Sequence, residues 1–331
     1  MSNRSGLKLG TTLYSFTNEF HGREYSLEQI ITKVAACNLG PGLEIVGFSA
    51  IKGFPAVSDA FAASFSKVVA ENKLELSCLG INADAKIDRD KPMNTDELVA
   101  YHEAQIRAAA KLGFPVVRYQ YGAGPAVIER LVPLAERLNV KLGLEIHAPH
   151  TVDHPDILAY REMYQRMKSP VLGFIPDFGA CAHTVSPLLV DYFRKTGIKE
   201  ELIKITLESW AEYEGDQMGR RPFIAERLRA AGADDTASAN LGMVSFFGRM
   251  KPSAWAEIMP EVIHIHGKCF DFAPDGSEIS VNYEEVLPVF VKGGYSGYMS
   301  TEWEGHHFSD APAFPYVQAH HVLCERILSR V

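Results

Sequence analysis

Residues 141–180 read KLGLEIHAPHTVDHPDILAYREMYQRMKSPVLGFIPDFGA, and this stretch decides the fold. Two short apolar runs, 141–147 and 171–177, suit strands. Between them, 155–167 has the length and periodicity of a helix that returns the chain for a parallel neighbour. Each run closes on residues that an apolar core does not want: Glu145 and His147 in the first, Asp177 in the second. Apolar strands that carry their polar chemistry at the far end are the pattern of a parallel sheet with its site on the C-terminal rim.

Working outward, the same unit repeats along the chain. Strands are predicted at 7–15, 43–48, 74–81, 115–121, 262–268 and 297–303, with helices at 26–38, 56–72, 95–112 and 126–138 among them. Eight such units predict an α/β fold closed as a (β/α)8 TIM barrel, with 1–331 forming a single TIM-barrel domain. A doubly wound open sheet is the alternative, but no G-x-G-x-x-G follows the first strand. One long insertion, 185–258, lies between strands 6 and 7, where a loop and a helix would suffice. It carries Glu208, Trp210, Glu212 and Tyr213, a basic turn at Arg220 and Arg221, and aromatic Phe246 and Phe247. Leaving from the rim, it is placed to cap the site or to contact another subunit; a plain surface excursion is the alternative.

Composition narrows the function. The 331 residues fit one barrel, and 47% hydrophobic with 22% charged residues is ordinary for a globular chain. A net charge of −8 without a Lys/Arg-dense stretch opposes nucleic acid as a partner. No apolar run approaches the roughly 20 residues that cross a bilayer, and the opening MSNRSGLKLG lacks a signal-peptide core, so the expectation is a cytoplasmic protein with no membrane partner. Cys37, Cys78, Cys181, Cys269 and Cys324 are scattered, without a C-x-x-C pair, which suits reduced thiols.

The chemistry concentrates on strands five to eight, each of which ends in a residue able to bind a metal: Glu145, Asp177, His266 and Glu302. Three carboxylates converging at one rim repel one another unless a cation lies between them. Oxygen donors with one imidazole suit Mn²⁺, with Mg²⁺ or Co²⁺ also admitted. His264 shares the face of His266 by alternation; His266 is favoured as ligand because it lies nearer the rim.

These strand-end residues resemble the metal ligands of the xylose-isomerase-like TIM-barrel superfamily. That group includes sugar isomerases, ketose 3-epimerases, inosose dehydratases and an endonuclease branch. The resemblance implies a carbohydrate substrate, a metal stabilising an enolate, and a base that removes a proton alpha to a carbonyl. His147, one step beyond Glu145 on the same face, is the candidate general base; a solvated loop histidine is the alternative. Lys268 stands in the same relation to His266 and is read either as an oxyanion holder or as an acid's partner. Glu304 follows Glu302 as a substrate-binding residue, a support or a second base, while resemblance to an epimerase implies that Glu145 and Glu302 themselves exchange the protons. Tyr14 and Phe16 alternate on the first strand as candidates to line a sugar pocket, with core packing as the alternative. His183 resembles a histidine that follows the aspartate in epimerases, at a longer spacing. Glu44, His306 and His307 receive no task.

Within the superfamily, TTLYSFTNEF (11–20), GPGLEIVGF (40–48) and STEWEG (300–305) resemble the catalytic alpha subunit of bacterial C-glycoside deglycosidases. That resemblance implies a lyase acting on 3-oxo-C-glycosides by proton abstraction at sugar C2, and a small second (beta) subunit over the barrel mouth. The alternatives are a sugar isomerase or ketose 3-epimerase, and a non-catalytic sugar-binding barrel. The endonuclease branch needs histidines at the ends of the early strands, and strands two to four supply none.

Overall fold

A computed structural model of the chain describes residues 6–87 and 90–331, so the first five residues of MSNRSGLKLG lie outside it. Eight strands form one sheet: β1 (Lys8–Thr12), β2 (Gly42–Val46), β3 (Glu75–Gly80), β4 (Val116–Tyr119), β5 (Lys141–Ile146), β6 (Leu172–Pro176), β7 (Ile265–Cys269) and β8 (Tyr298–Trp303). Their order is β6-β5-β4-β3-β2-β1-β8-β7, and every pairing is parallel. The two ends meet through isolated parallel bridges, Phe174 with Val262 and Asp177 with His266. The result is a nearly closed TIM barrel, whose thinnest seam is the one that the insertion leaves and re-enters.

Local chemistry fixes the surrounding helices. Ser26 and Gln29 form a capping box at Leu27–Ala36, and Asn94 and Glu97 do the same at Thr95–Leu112. Such caps satisfy amides that an isolated helix end leaves bare. Gly113 closes the second helix at φ 90°, a left-handed conformation that costs glycine nothing. The inward faces of these helices and the outward faces of the strands build the main core, which includes Ile31, Phe65, Ile106, Leu131, Tyr160, Phe290 and Leu323.

The first strand is shorter than its sequence predicts. It stops at Thr12, whose hydroxyl accepts from the Tyr14 amide, and the chain turns into a 3-10 helix over Leu13–Phe16. Strand alternation therefore does not apply to Tyr14 and Phe16. Phe16 is fully buried, 4.4 Å ring to ring from Phe314 of the last helix, so it is a core residue and not a pocket wall. Beyond β6 the insertion forms the helices Pro187–Lys195, Glu200–Glu212, Gln217–Ala230 and Asp235–Leu241. These bury a second apolar cluster containing Leu189, Phe193, Trp210, Ile224 and Leu228, with Phe270 and Phe308 from the barrel rim. Among the described residues no helix is long and apolar enough to cross a membrane.

Candidate metal centre

The four strand-end residues converge. Ligand-capable atoms of Glu145, Asp177, His266 and Glu302 all lie within 4.8 Å of one another, and all four side chains are buried. The seam supplies two of them, since the backbone bridge pairs Asp177 with His266. Parallel register supplies the rest: Lys268 lies opposite Glu302 and His266 opposite Ser300.

Nδ1 of His266 lies 2.7 Å from Oε1 of Glu145 and 3.4 Å from Oε2 of Glu302, while its Nε2 lies 3.0 Å from Oε1 of Glu44. Both ring nitrogens thus face carboxylates. A neutral imidazole has one proton to offer, so a second cation, either another proton or a metal, must occupy the remaining side. Burial opposes the charged ring, but Glu44, Glu302 and Glu145 outweigh it and hold the pKa of His266 well above its ordinary value. His264 turns elsewhere, its Nε2 lying 2.8 Å from Glu44 Oε2 and 3.1 Å from Ser300 Oγ.

Lys268 is fully buried among acids, with Nζ at 3.0 Å from Asp177 Oδ2, 2.9 Å from Glu302 Oε2 and 2.7 Å from Glu304 Oε1. Glu304 feels an upward pull from burial, yet Lys268 and His147 hold its carboxyl below the usual range. Glu302 goes the other way: burial lifts it, and Asp177 and Glu304 add to that lift against Lys268 and His266. Arg118 reaches Glu145 at 3.4 Å, and Gln120 donates to the same oxygen at 3.2 Å. A Cβ at Gly80 would meet the Arg118 guanidinium at 2.9 Å, so the glycine at the end of β3 leaves that cation its room.

Five buried carboxylates, Glu44, Glu145, Asp177, Glu302 and Glu304, thus face two permanent cations, Arg118 and Lys268. Asp177 Oδ2 and Glu302 Oε2 are buried without a well-aligned hydrogen-bond donor. This excess of negative charge, with two carboxylate oxygens that meet the Lys268 ammonium as ion pairs and an imidazole nitrogen beside them, fits a divalent cation. The group could hold a metal, with Glu44 orienting the histidine from behind as outer carboxylates do.

His147 stands at the edge of this cluster. Its Nε2 is 3.9 Å from Asp177 Oδ2, and its Nδ1 is 2.5 Å from the Ala148 carbonyl. That carbonyl can only accept, so Nδ1 carries a proton; burial opposes a charged ring, but Asp177, then Glu304 and Glu145, hold the His147 pKa above its ordinary value. The Tyr14 hydroxyl lies 3.0 Å from His307 Nε2, and the Tyr14 ring packs edge-on to His306 at 4.9 Å. Burial, then Glu304 and Glu302, raise the Tyr14 pKa, which places the phenol beside the acids. His183 is not part of the cluster: it is exposed, and its amide bonds Ser280.

Sequence reasoning noted Glu44 without giving it a task, and it did not single out Arg118. The signal that marks them is a charge flanked on both sides by buried residues of a strand, Leu43 and Ile45 in one case, Val117 and Tyr119 in the other. An ion pair across the barrel is the way such charges survive burial.

Residues 43–326 match the family model described as Xylose isomerase-like TIM barrel. The chain belongs to this family. Within it, the 3'-dehydrocarminate deglycosidase alpha subunit of a Microbacterium species is 41% identical over 98% of this chain and 96% of its own length. The C-glycoside deglycosidase alpha subunit of Microbacterium trichothecenolyticum is 42% identical over 91% of this chain and 84% of its own. This xylose isomerase-like barrel is therefore an enzyme of the group that contains those subunits. The solved structure of an L-ribulose 3-epimerase shares the fold at a TM-score of 0.59 and 11% identity, covering 98% of this chain and 95% of that one.

Proposed function

We propose that the chain is the catalytic subunit of a divalent-metal-dependent lyase that cleaves the C–C bond joining the sugar of a 3-oxo-C-glycoside to its aromatic aglycone. The observation that carries this reading is the meeting of Glu145, Asp177, His266 and Glu302 with Nε2 of His147 at 3.9 Å from Asp177, in a chain 41% identical to a protein named as a 3'-dehydrocarminate deglycosidase alpha subunit.

The 3-oxo group makes the proton on sugar C2 acidic. Glu145, Asp177, His266 and Glu302 would hold a divalent ion, which would supply positive charge near the sugar carbonyl. Oxygen donors with one imidazole suit Mn²⁺, with Mg²⁺ or Co²⁺ as substitutes. His147 takes the C2 proton on Nε2. The electron pair left at C2 becomes the C1–C2 double bond, and the C1–aryl bond breaks with its pair on the aryl carbon. That carbon takes up one proton, so the products are an unsaturated 3-oxo sugar and the free aglycone, with no net redox change. Lys268 keeps Asp177, Glu302 and Glu304 together and holds positive charge at the reacting face. The Tyr14 hydroxyl and the free Glu304 oxygen are the groups assigned to sugar hydroxyls.

The relatives' names call them alpha subunits, which supports a second, smaller subunit over the barrel mouth, with the insertion at 185–258 as the cap or platform it meets. A ketose 3-epimerase is the second reading. It is favoured by the approach of Glu145 and Glu302, from β5 and β8, to one ring nitrogen of His266, which brings together two carboxylates that could exchange protons at one carbon.

The deciding experiment assays a 3-oxo-C-glucoside and free ketoses in parallel, before and after chelation, with the metal content measured. Aglycone release that stops on chelation is the expected result. Ketose conversion without aglycone release would replace the lyase by the epimerase.

A further inference from the structure

Away from the metal cluster, the insertion holds a cavity of about 440 Å³, inside the range of sites for small organic molecules. Trp210, Val244 and Phe247 give it apolar and aromatic walls, while Tyr121 and His150 bring it to the loops that follow β4 and β5. Phe247 lies next in the chain to Phe246, whose ring stands edge-on to His147 at 6.3 Å. The cavity is thus lined in part by loops of the same barrel rim that carries the proposed base.

Arg220 lines the same cavity and is only 6% exposed. Its guanidinium sits over Trp210 at 5.6 Å and Tyr213 at 5.9 Å, and its Nη1 lies 2.5 Å from Gln217 Oε1. Its Nε is buried without a hydrogen-bond partner, and among the described residues no ion pair joins it to an acid. Arg249 adds a like charge; burial and that neighbour pull the Arg220 pKa down to about 10. A buried guanidinium without a carboxylate is costly to keep, and ring faces compensate only in part. The missing partner is an anion, and the aromatic walls ask for a flat one.

We propose that this cavity is the aglycone subsite, and that Arg220 selects aromatic aglycones bearing a carboxylate. The assignment rests on the lyase reading for the word aglycone, though not for the ligand chemistry. A carboxylate on the ring would receive the bidentate pairing that guanidinium favours, and the ring itself would lie along the apolar wall to which Ile224, Leu228 and Val244 contribute.

The test uses the full chain and a probe that needs no turnover, 2-naphthoate against 2-naphthamide, followed by calorimetry. The carboxylate is expected to bind about tenfold or more tightly than the amide, because a charge-assisted pair replaces a neutral contact. Arg220→Gln should erase that preference and Arg220→Lys keep part of it. Equal affinity of naphthoate for the wild type and Arg220→Gln would overturn the proposal. Should Arg220→Gln not fold, Ala239→Trp at the exposed lip of the cavity must weaken naphthoate, and unchanged affinity there overturns it equally. Turnover of 3-oxo-C-glycosides with carboxylated and uncharged aryl groups separates the two readings. Equal kcat/KM for both removes Arg220 as selector and leaves the lyase standing. Turnover of neither, with naphthoate still bound, ends the lyase reading alone.

Discussion

Nε2 of His266 lies 3.0 Å from Oε1 of Glu44, and this contact sets what the opposite side of the ring can do. With its proton given to Glu44, the imidazole would leave Nδ1 to join Glu145 and Glu302 in holding a metal. Glu44→Gln is expected to lower affinity for Mn²⁺ by about 10–100-fold while the circular dichroism spectrum stays that of the wild type. Equilibrium dialysis of both proteins measures it; equal affinities would remove Glu44 from the centre.

His147 tests the proton transfer. Replacing it by Asn should lower kcat for a 3-oxo-C-glucoside by about 10²–10⁴-fold, the usual worth of a general base. Bound Mn²⁺ should stay at the wild-type level. Loss of metal along with activity would make His147 a ligand and leave the base unassigned.

Lys268 tests the electrostatics. Without its ammonium, Asp177, Glu302 and Glu304 confront one another in a buried space. In chelator, Lys268→Met should cost roughly 3–5 kcal/mol, the scale for breaking a buried ion pair from one side. Urea unfolding reads the loss, and added Mn²⁺ should recover part of it. A variant as stable as the wild type in chelator would show that the acids are not charged together.

Acid should weaken the fold through the last helix. His320 and His321 are buried there; burial, with His321 adding its own effect, holds His320 well below its ordinary pKa, and burial takes His321 down to about 4. Unfolded, both histidines titrate near 6.5. Stability from these neutral rings is therefore complete above about pH 6.5 and is lost as pH falls toward 4, since only the unfolded chain takes up the protons. For His321 the loss amounts to roughly 3 kcal/mol. His321→Gln should flatten the dependence of unfolding free energy on pH between 4 and 6.5; an unchanged slope would point to the buried carboxylates instead.

The sequence by itself determined the barrel, because the alternation of strands and helices is written in local periodicity, and parallel strands of a closed sheet end on one rim. Glu145, Asp177, His266 and Glu302 were legible for that reason, each lying near the end of its own strand in four consecutive units. The tertiary structure alone set His264 apart from His266, whose alternation is the same but whose neighbours differ: Glu44 and Ser300 for one, Glu145 and Glu302 for the other. It also brought in Glu44 and Arg118 from β2 and β4. The β2–β3 register shifts between Leu43 and Glu44, which no local pattern encodes. Arg118 needs the empty space over Gly80, a contact between strands. Phe16 went to the core and Tyr14 to the site because the chain leaves β1 at Thr12, where one hydroxyl-to-amide bond ends the strand. Periodicity places a residue on a face; charge balance across the barrel, set by contacts far apart in the chain, gives the centre its remaining members.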